Sequence, residues 1–368
     1  MKVLHLIDSG GLYGAEKMLL TLVKEQIKSG HEPVILSCGE LNEPEKPFEK
    51  EALAQGHRIK VWRMNSGIRI REMFFLWTWI HAEQFNVLHS HGFKFNVLLA
   101  ITKFKGNGIP IISTIHGYMN RPFPQKLWLY ELIDKFSVYF HQAIVSVNKS
   151  GSITPFFKFL YSKRLSHIPN GIEFNKAKRK LYLADSIRKI LVVGRLSPEK
   201  GHFVMLSALN QLLEKDNDIQ LVLAGDGDLK YELEKRVSLL GLENNVKFLG
   251  FVSSISSEYA EADAVVMPSS TEGLPMTLLE AIDHNLPVFA TPVGGIPNIL
   301  IDDNFIIAEQ SAEAICRTLI NWNHLNIENK KNAMRIVRDN AVNRYSASNM
   351  CKQYIELYGS FQTAEMER

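Results

Sequence analysis

Cysteine is scarce: the 368 residues contain three, Cys38, Cys316 and Cys351. They stand far apart, so neither a disulfide framework nor a zinc-ligand or C-x-x-C spacing can be built from them, and a reducing compartment is expected. Long apolar runs are missing as well. The longest, MFFLWTWI at 73–80, is under half of the ~20 residues a membrane-crossing helix needs. No basic-then-apolar leader precedes the opening strand pattern KVLHLID. A dinucleotide fingerprint is also lacking. The first strand-to-helix turn reads SGGLYGAEK (9–17), and G-x-G-x-x-G would need glycine where Ser9 stands. That makes a nicotinamide dehydrogenase the least favoured enzyme class.

What is present is ordinary globular material, 46% hydrophobic and 22% charged, enough for two cores. The net charge of +3 hides an asymmetry: residues 1–180 hold 25 Lys/Arg against 14 Asp/Glu, or +11, leaving −8 for the remainder. A basic half suggests an anionic partner or simply a solvated surface. Apolar, β-branched runs alternate with helical patterns throughout. Seven strands are expected in the first half: KVLHLID, EPVILSC, HRIKVWRM, NVLHSH, PIISTIHG, QAIVSVN and RLSHIPN. Six are expected in the second: RKILVVGR, IQLVLAGD, VKFLGFV, DAVVMPS, LPVFATP and NFIIA. Helices are expected between them, including 15–29, 125–140, 202–214, 229–240, 276–284 and 312–321. Strands alternating with helices imply parallel sheets covered on both faces. Thirteen strands are too many for one doubly wound sheet, and the charged, aperiodic stretch 174–188 reads as a linker. The expectation is α/β with two Rossmann-like domains, 1–175 and 185–346, whose parallel sheets face an interdomain cleft. Ligands bind at the carboxyl ends of strands in such sheets.

The most informative stretch is TEGLPMTLLEAIDHNLPVFATPVGG (271–295). Glu272 falls on a strand-to-helix loop and Glu280 about one turn inside the following helix. The unpaired amides at that helix start form an anion site. Two carboxylates around it could grip hydroxyls on either side of a bound phosphate. VGRLSPEKG (193–201) sets Arg195 and Lys200 around another such turn, where a guanidinium fork and an ammonium could neutralise a diphosphate. Asp226-Gly-Asp228 in LAGDGDL reads as a strand-end turn rather than a metal site. His89-Ser-His91 could bind metal, but no third ligand is near in sequence. His116, at a strand end, could hydrogen-bond a sugar hydroxyl or be structural.

GGLYGAE, SHGF, STIHGY, IPNGI, VGRLSPEKG, LAGDGDL, FLGFV, EGLPMTLLEA and TPVGG occur in that order from about residue 1 to 300. The ordered series resembles glycosyltransferase family 4, retaining enzymes of GT-B fold. The resemblance implies a hexosyltransferase taking its sugar from a UDP- or GDP-sugar. Arg195 and Lys200 would hold the donor diphosphate, Glu280 the ribose and Glu272 the donor sugar. The amides of Gly273, Leu274, Thr277 and Leu278 would contact sugar hydroxyls or phosphates; Pro275 has none to offer. Gly11 would approach the β-phosphate, His116 would sit near the donor sugar, and Phe251 and Val252 would border the base. Asn170-Gly171 would lie near the crossover between domains, and the last helix, about 347–368, would pack back on the first domain. The implied catalytic residues are therefore His116, Arg195, Lys200 and Glu272. No metal and no other cofactor is implied, because the cationic pair takes the metal's place. The family often has glutamate after GGIP, where this chain has Asn298, which leaves donor preference open.

The acceptor side rests on three first-half segments that interleave aromatics with Arg and Lys: 68–80, 121–136 and 155–165. Such segments suit either a membrane interface or helices packing their rings into a core. With the basic half, they suggest a lipid-linked or other glycan acceptor in cell-envelope polysaccharide, lipopolysaccharide or glycolipid synthesis, no nucleic-acid partner, and a cytoplasmic enzyme peripheral to the inner face of the membrane. A sugar-nucleotide epimerase of GT-B-like fold and a non-catalytic sugar-nucleotide-binding subunit are the alternatives.

Overall fold

The computed structural model describes residues 1–8, 11–12, 14–65, 70–103, 108–116, 126–147, 153–175, 183–214, 218–252 and 254–366. Ser9, Gly10 and Tyr13 of the first turn, and parts of the linker and of the aromatic-basic segments 68–80 and 121–136, lie outside them. The chain divides into two compact units: Met1–Glu173 with Ser346–Arg368, and Phe174–Tyr345.

The first unit runs β1 (Lys2–Ile7), α1 (Gly14–Lys28), β2 (Glu32–Glu40), α2 (Pro47–Ala54), β3 (Ile59–Met64), α3 (Ile70–Ala82), β4 (Val87–Ser90), α4 (Phe93–Lys103), β5 (Ile111–Ile115), α5 (Lys126–Val138), β6 (Ala143–Ser146), α6 (Pro155–Tyr161) and β7 (Leu165–His167). The second runs β8 (Lys189–Val193), α7 (His202–Leu213), β9 (Gln220–Ala224), α8 (Lys230–Leu240), β10 (Val246–Gly250), α9 (Ser256–Glu261), β11 (Ala264–Met267), α10 (Met276–Asp283), β12 (Val288–Ala290), α11 (Ala312–His324) and α12 (Ile327–Tyr345). The chain then returns to the first unit as α13 (Ala347–Met366).

Both sheets are parallel. The first has the order β3-β2-β1-β4-β5-β6-β7, the second β10-β9-β8-β11-β12. Each order reverses once, between β1 and β4 and between β8 and β11. In open α/β sheets, ligands bind at the carboxyl ends of the strands beside such a switch point. Continuous apolar strands follow from burial on both faces: β11 is AVVM and β6 is AIVS, with every residue of both buried.

The expected strand NFIIA does not form. Asp302 caps a short 3-10 turn, Asp303–Phe305, by accepting from the Asn304 amide, and only Ile306 bridges to Ala290. A local side-chain bond has out-competed the ladder. α13 docks on the first unit through Met350, Tyr354 and Tyr358, which join Val3, Leu22, Val87 and Ile112 in one core. Its start is fixed by the Ala347 amide donating to the Ile172 carbonyl (2.8 Å). A side chain at Gly171 would strike the Ser346 carbonyl at 2.7 Å.

Candidate functional site

In the second unit, β8 and β11 bring together two loops that are far apart in sequence. After β8, a 3-10 turn (Pro198–Lys200) ends at Gly201, in the left-handed region at φ 73°. Any side chain there would collide with the Pro268 carbonyl, so glycine is required for the two loops to meet. The Ser270 amide donates to the Glu199 carbonyl (2.8 Å), fastening them.

At this junction Lys200 Nζ donates to Glu272 Oε1 at 2.6 Å, and Ser269 Oγ donates to the same oxygen at 2.7 Å. The Glu272 side chain is 7% exposed and that of Lys200 25%. Arg195 is exposed beside this pair in sequence. Its carbonyl accepts from His202 Nε2 at 3.0 Å, and burial pushes the His202 imidazole below its ordinary pKa. His202 thereby braces the turn that carries Arg195 and Lys200.

The Glu272 loop leads into α10, which begins after Pro275 at the cap position. The first amides of a helix have no intrahelical acceptor, and the helix dipole adds positive potential there. Gly273, Leu274 and Thr277 surround this start. Leu278 is already engaged, its amide donating to the Pro275 carbonyl at 3.2 Å. The loop is supported from behind by TPVGG: the Gly295 amide donates to the Gly273 carbonyl (2.7 Å), and Gly294 lies at φ 59° where a Cβ would strike the Glu272 carbonyl. Glu280 is half-buried on α10, with the Tyr259 hydroxyl 3.4 Å from its Oε2. Phe251, 78% exposed, and Val252 follow β10 at the sheet edge. Asp226 Oδ1 accepts from the Gly227 amide at 2.9 Å, as in a strand-end turn. Asn298 is exposed in a short 3-10 turn, its carbonyl accepting from Asn340.

Gly11 and His116 belong to the first unit, after β1 and β5 at the carboxyl edge of that sheet. His116 forms the outer member of a histidine group. Its ring lies 5.8 Å from His91, which lies 4.0 Å from His89, and both inner rings lie about 5 Å from His5. Burial holds His5 and His116 down to about 4 and His89 and His91 well below their ordinary value, so all four are neutral at pH 7.

His5 is the third histidine near His89 and His91, and the nitrogens the three offer lie within 4.8 Å of one another, a spacing that suits a metal ion. Both nitrogens of His5 and of His89 are nevertheless engaged. His5 bonds Gln26 (2.8 Å) and His91 (3.0 Å), and His89 bonds Thr114 and Tyr358 (2.7 Å each). A metal would have to displace some of these bonds. Among the described residues, the Nε2 of His116 is buried without a hydrogen-bond partner.

Sequence reasoning passed over Ser269, His202, Tyr259 and His5. Ser269 carried a signal, three residues before Glu272. His202 stands directly after the turn it braces, and Tyr259 and His5 are recognisable only once strands and helices are paired.

Two family models match the chain: Glycosyltransferase Family 4 over residues 13–176 and Glycosyl transferases group 1 over 173–339. An uncharacterized glycosyltransferase of Methanocaldococcus jannaschii is 30% identical over 49% of this chain, a match spanning about half, 47%, of that protein. The UDP-Gal:alpha-D-GlcNAc-diphosphoundecaprenol alpha-1,3-galactosyltransferase of Escherichia coli is 25% identical over 68% of this chain and 70% of its own length. The O-antigen biosynthesis glycosyltransferase WclY of Escherichia coli is 24% identical over 98% of each. Among solved structures, Anabaena HepE in complex with UDP and glucose superposes with a TM-score of 0.78 at 20% identity, covering 98% of this chain and 100% of that one. That likeness shows the GT-B fold. With its two halves matching adjoining family models, the chain belongs to glycosyltransferase family 4.

Proposed function

We propose that this glycosyltransferase moves a hexose from a UDP- or GDP-sugar, with retention of anomeric configuration, to a lipid-linked glycan in the assembly of a cell-envelope polysaccharide or lipopolysaccharide. The observation that carries the donor side is the Lys200–Glu272 pair beside the start of α10, at the β8/β11 switch point. Arg195 and Lys200 hold the diphosphate, with the amides of Gly273, Leu274 and Thr277 supplying further donors. Phosphate competes with Glu272 for the Lys200 ammonium. The carboxylate so released accepts hydroxyls of the donor sugar, while Ser269 keeps its position. Glu280 takes the ribose, and Phe251 and Val252 border the base.

As the bond between the anomeric carbon and the phosphate oxygen breaks, negative charge grows on the diphosphate. The two cations stabilise it more in the transition state than in the ground state. The acceptor oxygen bonds to the same face of the anomeric carbon, and its proton passes to the leaving phosphate. No metal is needed for this charge balance. His116, at the carboxyl edge of the first sheet, is a neutral hydrogen-bonding group.

Two supports exist for a lipid-linked acceptor. The E. coli galactosyltransferase noted above has a diphosphoundecaprenol acceptor in its name. In addition, α3, α5 and α6 each bury one face and expose aromatics on the other: Leu76, Ile80, Val138, Phe157 and Tyr161 are buried, while Phe74, Phe75, Tyr130, Phe136, Phe156 and Phe159 are exposed. An apolar furrow of about 310 Å³ between α4 and α5, lined by Val97, Ile101, Ile133, Phe136 and Phe140 among others, extends this surface. The enzyme would then work at the inner face of the cytoplasmic membrane.

The deciding experiment is calorimetric binding of UDP, GDP, ADP and their common sugar conjugates, with and without EDTA. Selective binding that survives EDTA is expected. Binding that vanishes with EDTA would overturn the metal-free reading, and no binding to any of them would overturn the donor site.

A further inference from the structure

Glu280 has to present its carboxylate in one orientation to be useful, yet it stands half-buried on a short helix and its side chain has three rotatable bonds. Tyr259, on α9, comes to it from below. The ring is wholly buried. Its hydroxyl lies 3.3 Å from the Thr277 carbonyl and 3.4 Å from Glu280 Oε2. A second fastening runs alongside: His284 Nδ1 bonds the Glu280 carbonyl (2.8 Å), His284 Nε2 bonds Ser256 Oγ (2.9 Å), and the Tyr259 and His284 rings are 5.0 Å apart. Ser256 and Tyr259 stand three residues apart on one helix, so α9 holds α10 at both the backbone and the side chain of Glu280. The phenol has a single proton to donate, and a carboxylate is a stronger acceptor than a carbonyl. The hydroxyl is shared between the two acceptors, and both distances are long for O–H···O bonds.

We propose that Tyr259 is a positioning residue for nucleotide recognition: its buried hydroxyl fixes the Glu280 carboxylate in the orientation that accepts the ribose hydroxyls of a nucleoside diphosphate. The proposal rests on the assignment of Glu280 to the ribose. Tyr259 itself touches no ligand; it selects ribose-bearing donors through Glu280.

The test measures affinities of the wild type, Tyr259→Phe and Glu280→Gln for UDP and GDP and for the 2′-deoxy and 3′-deoxy analogue of each, with a thermal melt of every variant. Tyr259→Phe removes one oxygen and conserves the ring. It should weaken binding of the ribonucleotide about five- to tenfold, less than the direct loss of a charge-assisted hydrogen bond because Tyr259 acts through Glu280. Binding of the analogue that lacks the recognised hydroxyl should not change. Glu280→Gln should abolish the preference for the ribonucleotide over that analogue. Equal weakening of ribo and deoxy forms by Tyr259→Phe, or no weakening, would overturn the positioning role while leaving the Glu280 assignment intact. A Glu280→Gln variant that keeps its ribose preference would overturn the Glu280 assignment and the proposal with it. If Tyr259→Phe melts well below the wild type, the deoxy comparison still decides, because loosened folding lowers affinity for both forms alike.

Discussion

At the residue scale, charge placement decides. Lys200 and Arg195 are the cations that a diphosphate would meet, and Lys200 is already held against Glu272. Lys200→Ala and Arg195→Ala should each weaken nucleoside diphosphate binding by about tenfold or more, since a hydrogen bond to a charged group contributes roughly 1.5–3 kcal/mol. Unchanged affinity in a calorimetric titration would remove the residue from the phosphate site. His116→Ala should act differently, lowering turnover more than nucleotide affinity; wild-type turnover would count against any role for it. Glu272, Glu280, Arg195 and Lys200 were legible in the sequence because each sits beside a turn signal, Gly-Leu-Pro or Ser-Pro-Glu-Lys-Gly, that marks a loop at a strand end. His202 directly follows the turn it braces. Tyr259 was not legible, because it acts across elements and no local spacing carries that information. The same holds for His5. Its pairing with His89 comes from the parallel register of β1 on β4, and no rule of sequence separation gives it.

At the scale of elements, α13 deserves a direct test, since two of its tyrosines are buried and bonded to groups of the first sheet. Tyr358 bonds His89 Nδ1 (2.7 Å) and Tyr354 bonds Thr114 Oγ1 (2.9 Å). Tyr358→Phe leaves a buried imidazole nitrogen without its partner and should cost about 1–3 kcal/mol, read as a lower midpoint in urea unfolding; an unshifted midpoint would mean that water replaces the hydroxyl. Apolar β-branched runs mark the strands, and twelve of the thirteen runs match strands of the structure. The exception, NFIIA, has the same composition but follows Asp302, whose side chain captures the next turn. Helix starts were also close. α10 begins at Met276 and α11 at Ala312, after Pro275 and Ser311, which carry recognisable start signals.

At the scale of the whole molecule, buried neutral histidines and exposed aromatics set its response to surroundings. His5 and His116 are held at about 4 when folded against about 6.5 when unfolded. The unfolded chain therefore binds more protons between those values. Stability is full above about pH 6.5 and falls as pH drops towards 4, by up to about 1.4 kcal/mol per pH unit for each such histidine. Urea titrations at pH 7, 6 and 5 should show a steady loss; a flat series would mean that the imidazoles are solvated. The exposed face is open to a different measurement. Phe159 is 80% exposed on α6 and Lys163 is exposed just beyond it. Phe159→Asp combined with Lys163→Glu should reduce co-sedimentation with vesicles containing anionic phospholipid, and undiminished binding would take α6 off the membrane face. A last consequence concerns synthesis. Because α13 follows the second unit in sequence but completes the core of the first, the ribosome must make Phe174–Tyr345 before that core can close. At about 5–20 residues per second, residues 1–173 wait roughly ten to thirty seconds with the α13 face of their sheet uncovered. Over that interval the nascent first unit exposes the apolar surface that α13 will cover, a condition that favours aggregation, while the second unit, contiguous in sequence, can fold as soon as it emerges.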